Sequence, residues 1–312
     1  MLNKPTVFIH TNDKQVFGAH IAASAMKRAS KHPNEFDVKL LRLEDTPYLL
    51  KREGERYLRK GKQAMWRNDD LQSFSPLRKM VPQLMGYEGR AVVVDPDIFA
   101  VGDIYELLTR NMEGKAIMCR HVVDGYKGNG KRFYASSVML LDCAKLAHWK
   151  WNDEIDAMFA GQLDYGPWIS LLNEAPDTIG EIGEEWNSLD KLTPETKLLH
   201  TTERSTQPWR TGLPVDFDTT TKATRKCQSG LLGRILSFLR PIPPTAEIER
   251  YKPHPDTNQE RLIMEMIKGA LEAGDVTEVM VKEHIAKSNI RPDIFECLDR
   301  IGSQGRNGTK AA

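Results

Sequence analysis

Cysteine is scarce in this sequence: Cys119, Cys143, Cys227 and Cys297 are the four in 312 residues. They are widely spaced and form no CxxC pair, which excludes a zinc ribbon or a disulfide framework and fits a reducing compartment. Net charge is also small, since 44 basic against 43 acidic residues leave a formal +1. With no basic stripe interleaved with aromatics, nucleic acid is not an expected partner. No apolar run approaches the ~20 residues that cross a bilayer. The N-terminus leads straight into Thr6-Val7-Phe8-Ile9-His10 without the pattern of a signal peptide. A cytoplasmic protein is expected. Internal repeats are absent, and so is a Gly-rich phosphate loop of convincing pattern.

What is present points to an α/β protein. Apolar residues make up 40% and charged residues 28% of the chain, enough for a large core. The first strand and its polar turn Thr11-Asn12-Asp13 precede an Ala-, Met- and Lys-rich helical stretch from Ala19 to Ala29, a βα unit. Phe36 to Leu41 alternates as a second strand, and residues 44 to 73 read as a charged surface insertion. Pro76 to Val81 reads as a helix with Leu77, Met80, Val81 and Leu84 on its apolar side, and Pro82 as a breaker. The β-branched run Ala91-Val92-Val93-Val94 has the character of a strand buried on both faces. Asp103 opens a capped helix, and Ala116 to Cys119, Ser137 to Leu141 and Lys197 to His200 are further strands. Asp275 marks the start of another helix. These assignments give a catalytic domain over 1–225, a Gly-, Ser- and Pro-rich linker over 226–256, and a helical extension with a flexible tail over 257–312.

The chemistry concentrates at Asp95-Pro96-Asp97. Pro96 removes a ladder donor, so the triplet belongs at a strand end. Side chains two apart on a strand share a face, so both carboxylates point the same way, at the end where ligands bind in open α/β sheets. Paired hard oxygens suit Mg²⁺ or Mn²⁺ completed by substrate phosphates. An isolated Asp-Pro-Asp also makes an ordinary turn. His200, following Leu198-Leu199, adds an imidazole that favours Mn²⁺ over Ca²⁺.

Several blocks, in the right order over about residues 5 to 215, resemble glycosyltransferase family 8, the family of glycogenin and of bacterial lipopolysaccharide galactosyl- and glucosyltransferases. Val7 to Asp13 resembles the strand and loop that hold the nucleoside, and Gly18 to Met26 the helix after it. Arg78 to Leu84 followed by Arg90 to Asp97 resembles the Arg-containing helix leading to the DxD. Gly102 to Leu108 continues the match, and Leu199-His200 with Gln207-Pro208-Trp209 resembles the segment carrying the metal-binding His and a KPW-like signature, Gln207 replacing Lys.

The resemblance implies a GT-A fold, a Rossmann-like mixed sheet flanked by helices, here with a C-terminal helical extension. It implies a metal-dependent hexosyltransferase that takes its sugar from a nucleotide diphosphate, a UDP-sugar, and passes it to a hydroxyl of a glycan, lipid-linked sugar or other acceptor with retention of configuration. Asp95, Asp97 and His200 would bind Mn²⁺, or Mg²⁺ in its place. Thr11, Asn12, Arg78, Lys79, Asp95 and Trp209 would meet the donor, Arg78 being preferred to Lys79 as the bidentate phosphate clamp. Arg78 and Asp164 are the catalytic candidates. The family's NAG-like turn is replaced by Ala135-Ser136-Ser137 and its DQD-like triplet by Asp164-Tyr165-Gly166. Trp149, Trp151, Trp168 and Trp186 are assigned to packing. Two other readings fit the sequence: a nucleotide-sugar-binding protein without efficient transfer, and a metal-dependent nucleotidyltransferase. The segment Gly230 to Arg240, apolar with two arginines, reads either as a peripheral contact with the inner membrane surface or as a helix packed on the catalytic domain.

Overall fold

The structure is a computed structural model that describes residues 4–123, 132–217 and 249–308. It opens with β1 (Thr6–Thr11), α1 (Val16–Ala29) and β2 (Asp37–Arg42). An insertion follows, made of α2 (Pro47–Leu50) and the hairpin β3 (Arg56–Arg59) and β4 (Lys62–Met65). Next come a 3-10 helix (Ser75–Met80), α3 (Val81–Leu84), β5 (Arg90–Val94), β6 (Ile98–Ala100), α4 (Ile104–Leu108), β7 (Ile117–Val123) and β8 (Arg132–Asp142). Then α5 (Trp151–Phe159), α6 (Tyr165–Ile169), β9 (Ile179–Glu181), β10 (Ser188–Leu189) and β11 (Leu198–His200) lead to the C-terminal helices α7 (Thr257–Ala273), α8 (Glu278–Ala286) and α9 (Ile294–Gly308).

The fold is the expected α/β class. A six-stranded mixed sheet runs β2-β1-β5-β8-β7-β9, parallel except at β8, which is antiparallel to both neighbours. Residues 91–94 of β5 are fully buried because successive side chains enter two different cores. Val92 and Val94 join Val7, Ile9 and Phe17 on one face, while Ala91 and Val93 join Phe8 and Trp149 on the other. This is the continuous apolar run of a strand covered on both sides. Beyond Asp97 the chain leaves this sheet, and β6 pairs with β11 and, through it, β10 in a small second sheet.

Some local readings differ. Pro82 does not break a helix; it lies in the first turn of α3, where its missing N–H costs nothing. The preceding turn is 3-10, and this shorter geometry rotates Leu84 outward to 46% exposure. Residues 44 to 73 are no bare surface excursion, because Leu49, Tyr57 and Trp66 form a third core with Phe74, Trp151, Met158 and Trp168. Helix α8 is capped by Thr277, whose hydroxyl accepts the Met280 N–H, and not by Asp275. All five tryptophans weighed in the sequence are buried.

The C-terminal helices share the main core. Asp256 caps α7 through the Asn258 and Gln259 amides, and Ile263, Met264 and Ile267 pack with Phe17, Ile21 and Met26 of α1. No helix among the described residues is long and apolar enough to cross a membrane. The amphipathic segment 230–240 lies outside the described residues.

Candidate active site

The site forms where β5 ends and the chain crosses to the second sheet. Asp95 still belongs to the first sheet, its N–H donating to the Ser137 carbonyl at 3.1 Å, while the Asp97 carbonyl accepts from Thr201 at 3.1 Å. The antiparallel pairing of Ile98 with His200 brings the imidazole back over the turn. One oxygen each of Asp95 and Asp97 and one nitrogen of His200 consequently lie within 4.8 Å of one another. The turn also needs a close approach from α1: a Cβ on Gly18 would stand 2.9 Å from the Pro96 carbonyl oxygen, closer than side chains tolerate. Glycine there lets the first turns of α1 sit directly against Asp-Pro-Asp.

Asp95 has one committed oxygen, whereas both Asp97 oxygens have neighbours. Asp95 Oδ1 accepts from Arg78 at 2.5 Å and lies 2.8 Å from His10 Nε2, while Oδ2 has no partner among the described residues. Asp97 Oδ1 lies 3.5 Å from His200 Nε2, and its Oδ2 accepts from Gln207 at 3.3 Å. Burial alone would raise the Asp95 carboxyl, but the Arg78 charge, the His10 hydrogen bond and the nearby His200 hold it far below the ordinary carboxylate range. For His10 burial wins and lowers the imidazole despite Asp95. For His200 the order reverses: burial lowers it, but the charges of Asp97 and Asp95 bring it above its usual value.

The orientation of His200 is set from behind. Its Nδ1 lies 2.9 Å from the Asn187 side-chain oxygen, which makes Nδ1 the donor and leaves Nε2 facing Asp97. Asn187 is fully buried and donates in turn to Ser137 Oγ at 2.9 Å. Ser136, one residue earlier, accepts from Arg78 at 2.7 Å and donates to the Ile169 carbonyl at 2.8 Å. The Ala135-Ser136-Ser137 segment thus fixes both the arginine and the imidazole. Sequence reasoning did not mark His10 or Asn187 as site residues, and it took Ala135-Ser136-Ser137 only as a departure from the family's turn. Alternation along β1 was a usable signal for His10, whereas nothing in the sequence marks Asn187.

The residues fit a divalent cation. Two ligands held at ~2.1 Å from one ion stand at most ~4.2 Å apart, so the observed spread of 4.8 Å needs only sub-ångström closure. Asp95 Oδ2 and His200 Nε2 are available, and His10 Nδ1, Arg78 Nε and Gln207 Oε1 are buried without hydrogen-bond partners among the described residues. Two hard oxygens and one oriented imidazole form a donor set for a divalent metal ion.

The remaining expected residues are placed less uniformly. Arg78 is in the cluster. Lys79 points elsewhere, 1% exposed and 2.9 Å from Glu174. Thr11 and Asn12 are buried at the end of β1 on the same side of the sheet, but Asn12 already donates to the Asp70 carbonyl and Ser73 Oγ and accepts from the Gln15 amide. Trp209 is 2% exposed, its ring edge-on to Phe99 at 5.6 Å and against Gly18, so it packs the floor of the turn. Asp164 is outside the metal cluster; it caps α6 through the Gly166 amide and accepts the Lys60 and Gly61 amides at 2.7 and 2.6 Å.

No family model and no curated protein matches the chain. Solved structures do. The glycosyltransferase GlyE of Streptococcus pneumoniae TIGR4 aligns at TM-score 0.48 and 13% identity over 94% of this chain and 65% of its own length. The galactosyltransferase LgtC, solved with donor and acceptor sugar analogues, aligns at TM-score 0.45 and 13% identity over 77% of this chain and 98% of its own. Mouse xyloside xylosyltransferase 1 aligns at TM-score 0.41 and 13% identity over 63% of this chain and 97% of its own. The chain thus spans about two thirds of the pneumococcal enzyme. At such identities these are likenesses of fold, and the functional reading rests on the site.

Proposed function

We propose that the protein is a metal-dependent glycosyltransferase that moves a hexosyl group from a nucleotide-diphosphate sugar, a UDP-sugar, to a hydroxyl acceptor. The observation that carries this reading is the convergence of Asp95, Asp97 and His200 at the carboxyl end of β5, with Arg78 bound to Asp95 beside them. Such a place collects negative charge from a ligand without repelling it, since a cation held there and the Arg78 guanidinium both face the same point. Asp95 Oδ2, Asp97 and His200 Nε2 would hold Mn²⁺, with Mg²⁺ as the substitute, and the ion supplies fixed positive charge against the leaving diphosphate.

The chain's own groups divide the remaining work. Arg78, braced by Ser136, offers its other N–H groups to a phosphate oxygen. Asn187 keeps the His200 proton on Nδ1 and turns Nε2 toward Asp97. The first turn of α1, pressed against Pro96, adds the positive end of a helix dipole. Thr11 and Asn12 form the floor under the nucleoside, and Trp209 supports the turn from below. We propose retention of configuration by same-face attack: the acceptor hydroxyl adds to the anomeric carbon as its bond to the diphosphate breaks, and a departing phosphate oxygen takes the hydroxyl proton. Asp164, its oxygens engaged by three backbone amides, then serves as a positioning residue and not as a nucleophile.

The test is donor turnover. With UDP-glucose and UDP-galactose as donors, release of UDP is expected only with Mn²⁺ or Mg²⁺, stopped by excess chelator and poorly restored by Ca²⁺. Full turnover in chelator sinks the reading, and release of pyrophosphate replaces it with nucleotidyl transfer. Proton NMR of the first-formed product reports the configuration, and a β-linked product from an α-linked donor refutes retention.

A further inference from the structure

The hairpin β3–β4 carries an unbalanced charge. Between residues 56 and 67 stand five cations, Arg56, Arg59, Lys60, Lys62 and Arg67, and no acid. Arg56, Lys60, Lys62 and Arg67 are exposed, and none has an ion-pair partner among the described residues. Arg59 and Lys62 are direct cross-strand partners, and the acid whose charge Arg59 feels, Asp70, lies outside the hairpin. Like charges facing across a ladder are destabilising, and Lys60 in the two-residue turn adds a third. Lys60 moreover adopts φ 54°, an uncommon left-handed conformation for a lysine.

This hairpin is fastened to the candidate site at both ends. At its tip the Lys60 and Gly61 amides donate to Asp164, which caps α6. The far end of α6 accepts from Ser136, and Ser136 holds Arg78. On the other side the segment after β4 returns to Asn12 through Ser73 and the Asp70 carbonyl. Arg59 leans inward, its guanidinium 5.2 Å over the Tyr165 ring and 3.2 Å from Tyr57 Oη. Cross-strand partners lie on one face of a hairpin, so Lys62 shares the Arg59 face. The cation pair is thus tied to the site through Tyr165, whose hydroxyl feels the charges of both Arg78 and Arg59.

We propose that this hairpin is the acceptor subsite and that it selects a saccharide acceptor bearing an anionic group, phosphate or carboxylate. The inference rests on the glycosyltransferase reading of the site. An anion between Arg59 and Lys62 relieves their repulsion, and the guanidinium offers paired donors to either oxyanion. Nucleic acid or a lipid surface would need a broader cationic face than one hairpin of a protein with net charge +1.

The experiment titrates full-length protein with glucose, glucose 6-phosphate and glucuronate at low salt, following the Lys60 and Gly61 amides by NMR, with UDP and Mn²⁺ titrated separately. One or both anionic sugars are expected to bind several-fold tighter than glucose and to shift both amides. Lys62→Glu should reduce that preference about fivefold, the effect of roughly one rim charge. Lys62→Gln serves as the milder variant if Lys62→Glu does not fold. Equal affinity for all three sugars, no shift at Lys60 and Gly61, or a preference untouched by both variants overturns the proposal. So does Lys62-dependent binding to phosphatidylglycerol vesicles or to single-stranded DNA without selectivity among the sugars. Failure of UDP and Mn²⁺ to bind refutes the transferase reading instead, which keeps the two failures apart.

Discussion

Arg78 and Lys79 are consecutive residues of one 3-10 helix, yet they serve two buried ionic clusters that differ in how they close. Lys79 meets Glu174 at 2.9 Å and lies 4.2 Å over the Trp149 ring, while Glu174 also accepts from Trp149 Nε1 at 2.8 Å and lies 2.9 Å from His148. Both Glu174 oxygens are taken; Glu154, 3.8 Å from the same ammonium, keeps one buried oxygen without a hydrogen bond among the described residues, but the cluster does not gather three metal-ligating groups. In the Arg78 cluster the load is uneven: Asp95 Oδ1 serves Arg78 and His10 together, and Oδ2 serves nothing among the described residues. A charge pair that closes on itself holds two elements together, here the 3-10 helix and the loop before β9. A pair whose carboxylate offers an oxygen within 4.8 Å of a second carboxylate and an imidazole is suited to hold a cation.

The comparison breaks first at Lys79. Replacing Lys79 with Met leaves Glu174 buried without its cation, which is expected to cost about 3–5 kcal/mol of stability, read as a lower urea midpoint. Binding of UDP and Mn²⁺ by the protein that remains folded should be nearly unchanged. A stable Lys79→Met protein that no longer binds UDP would move Lys79 into the donor site. Asp97→Asn tests the other cluster. It keeps shape and removes a charged ligand, so donor turnover should fall about 10²- to 10³-fold, the scale of one lost transition-state contact, with the urea midpoint nearly unchanged. Equal losses of turnover and stability would make Asp-Pro-Asp a structural turn.

Acid sharpens the contrast further. Burial alone would raise the Glu174 carboxyl, but the Lys79 charge and the hydrogen bonds from His148, Lys79 and Trp149 hold it below its ordinary value. A depressed carboxyl contributes stability that is present above the unfolded-state pKa of ~4.3 and disappears as pH falls through the lower folded-state value. Urea unfolding between pH 6 and 3 should show this loss in the wild type, smaller than the Lys79→Met effect. Glu174→Gln should have a lower midpoint throughout and a shallower decline with pH, and an undiminished decline would assign the acid sensitivity to other carboxylates.

What the sequence disclosed follows from periodicity. The β-branched run ending at Asp95-Pro96-Asp97 announced a doubly covered strand and its terminus, because burial on both faces leaves a continuous apolar signature and Pro marks where the ladder stops. Local chemistry gave the Asp103 cap of α4 equally well. Long-range pairing was less legible. The alignment of Ile98 with His200, 102 residues apart in sequence, and the support of Asn187 behind His200 depend on a second sheet with three very short strands. Nor did adjacency tell Arg78 from Lys79: on a 3-10 helix successive residues turn by about a third of a circle, and only the placement of Glu174 decides which cation faces which cluster. The charged insertion hid its core because Tyr57, Trp66 and Phe74 lie scattered among lysines and arginines and are completed by residues of α5 and α6.

Asp164 gives the smallest expected effect and the one that separates two roles for a single carboxylate. Burial would raise it slightly, but three backbone amides, those of Gly61, Gly166 and Lys60, lower it below the ordinary carboxylate range. A nucleophile needs a free oxygen lone pair aimed at the anomeric carbon; Asp164 instead aims Oδ1 at Lys60 and Gly166 and Oδ2 at Gly61. Asp164→Asn keeps one carbonyl oxygen that can serve two of those amides, and asparagine is as good a helix cap as aspartate. Turnover should therefore remain within a few-fold of wild type. Asp164→Ala removes the cap and the latch together, costing ~1 kcal/mol, and the Lys60 and Gly61 amides should exchange with solvent faster in both variants, more so in Ala. Loss of an essential nucleophile removes several orders of magnitude from turnover, and it does so equally for Asn and Ala. A graded, small loss that tracks hairpin-tip exchange identifies a latch, whereas an equal and severe loss, or a glycosyl adduct trapped on Asp164, identifies a double displacement.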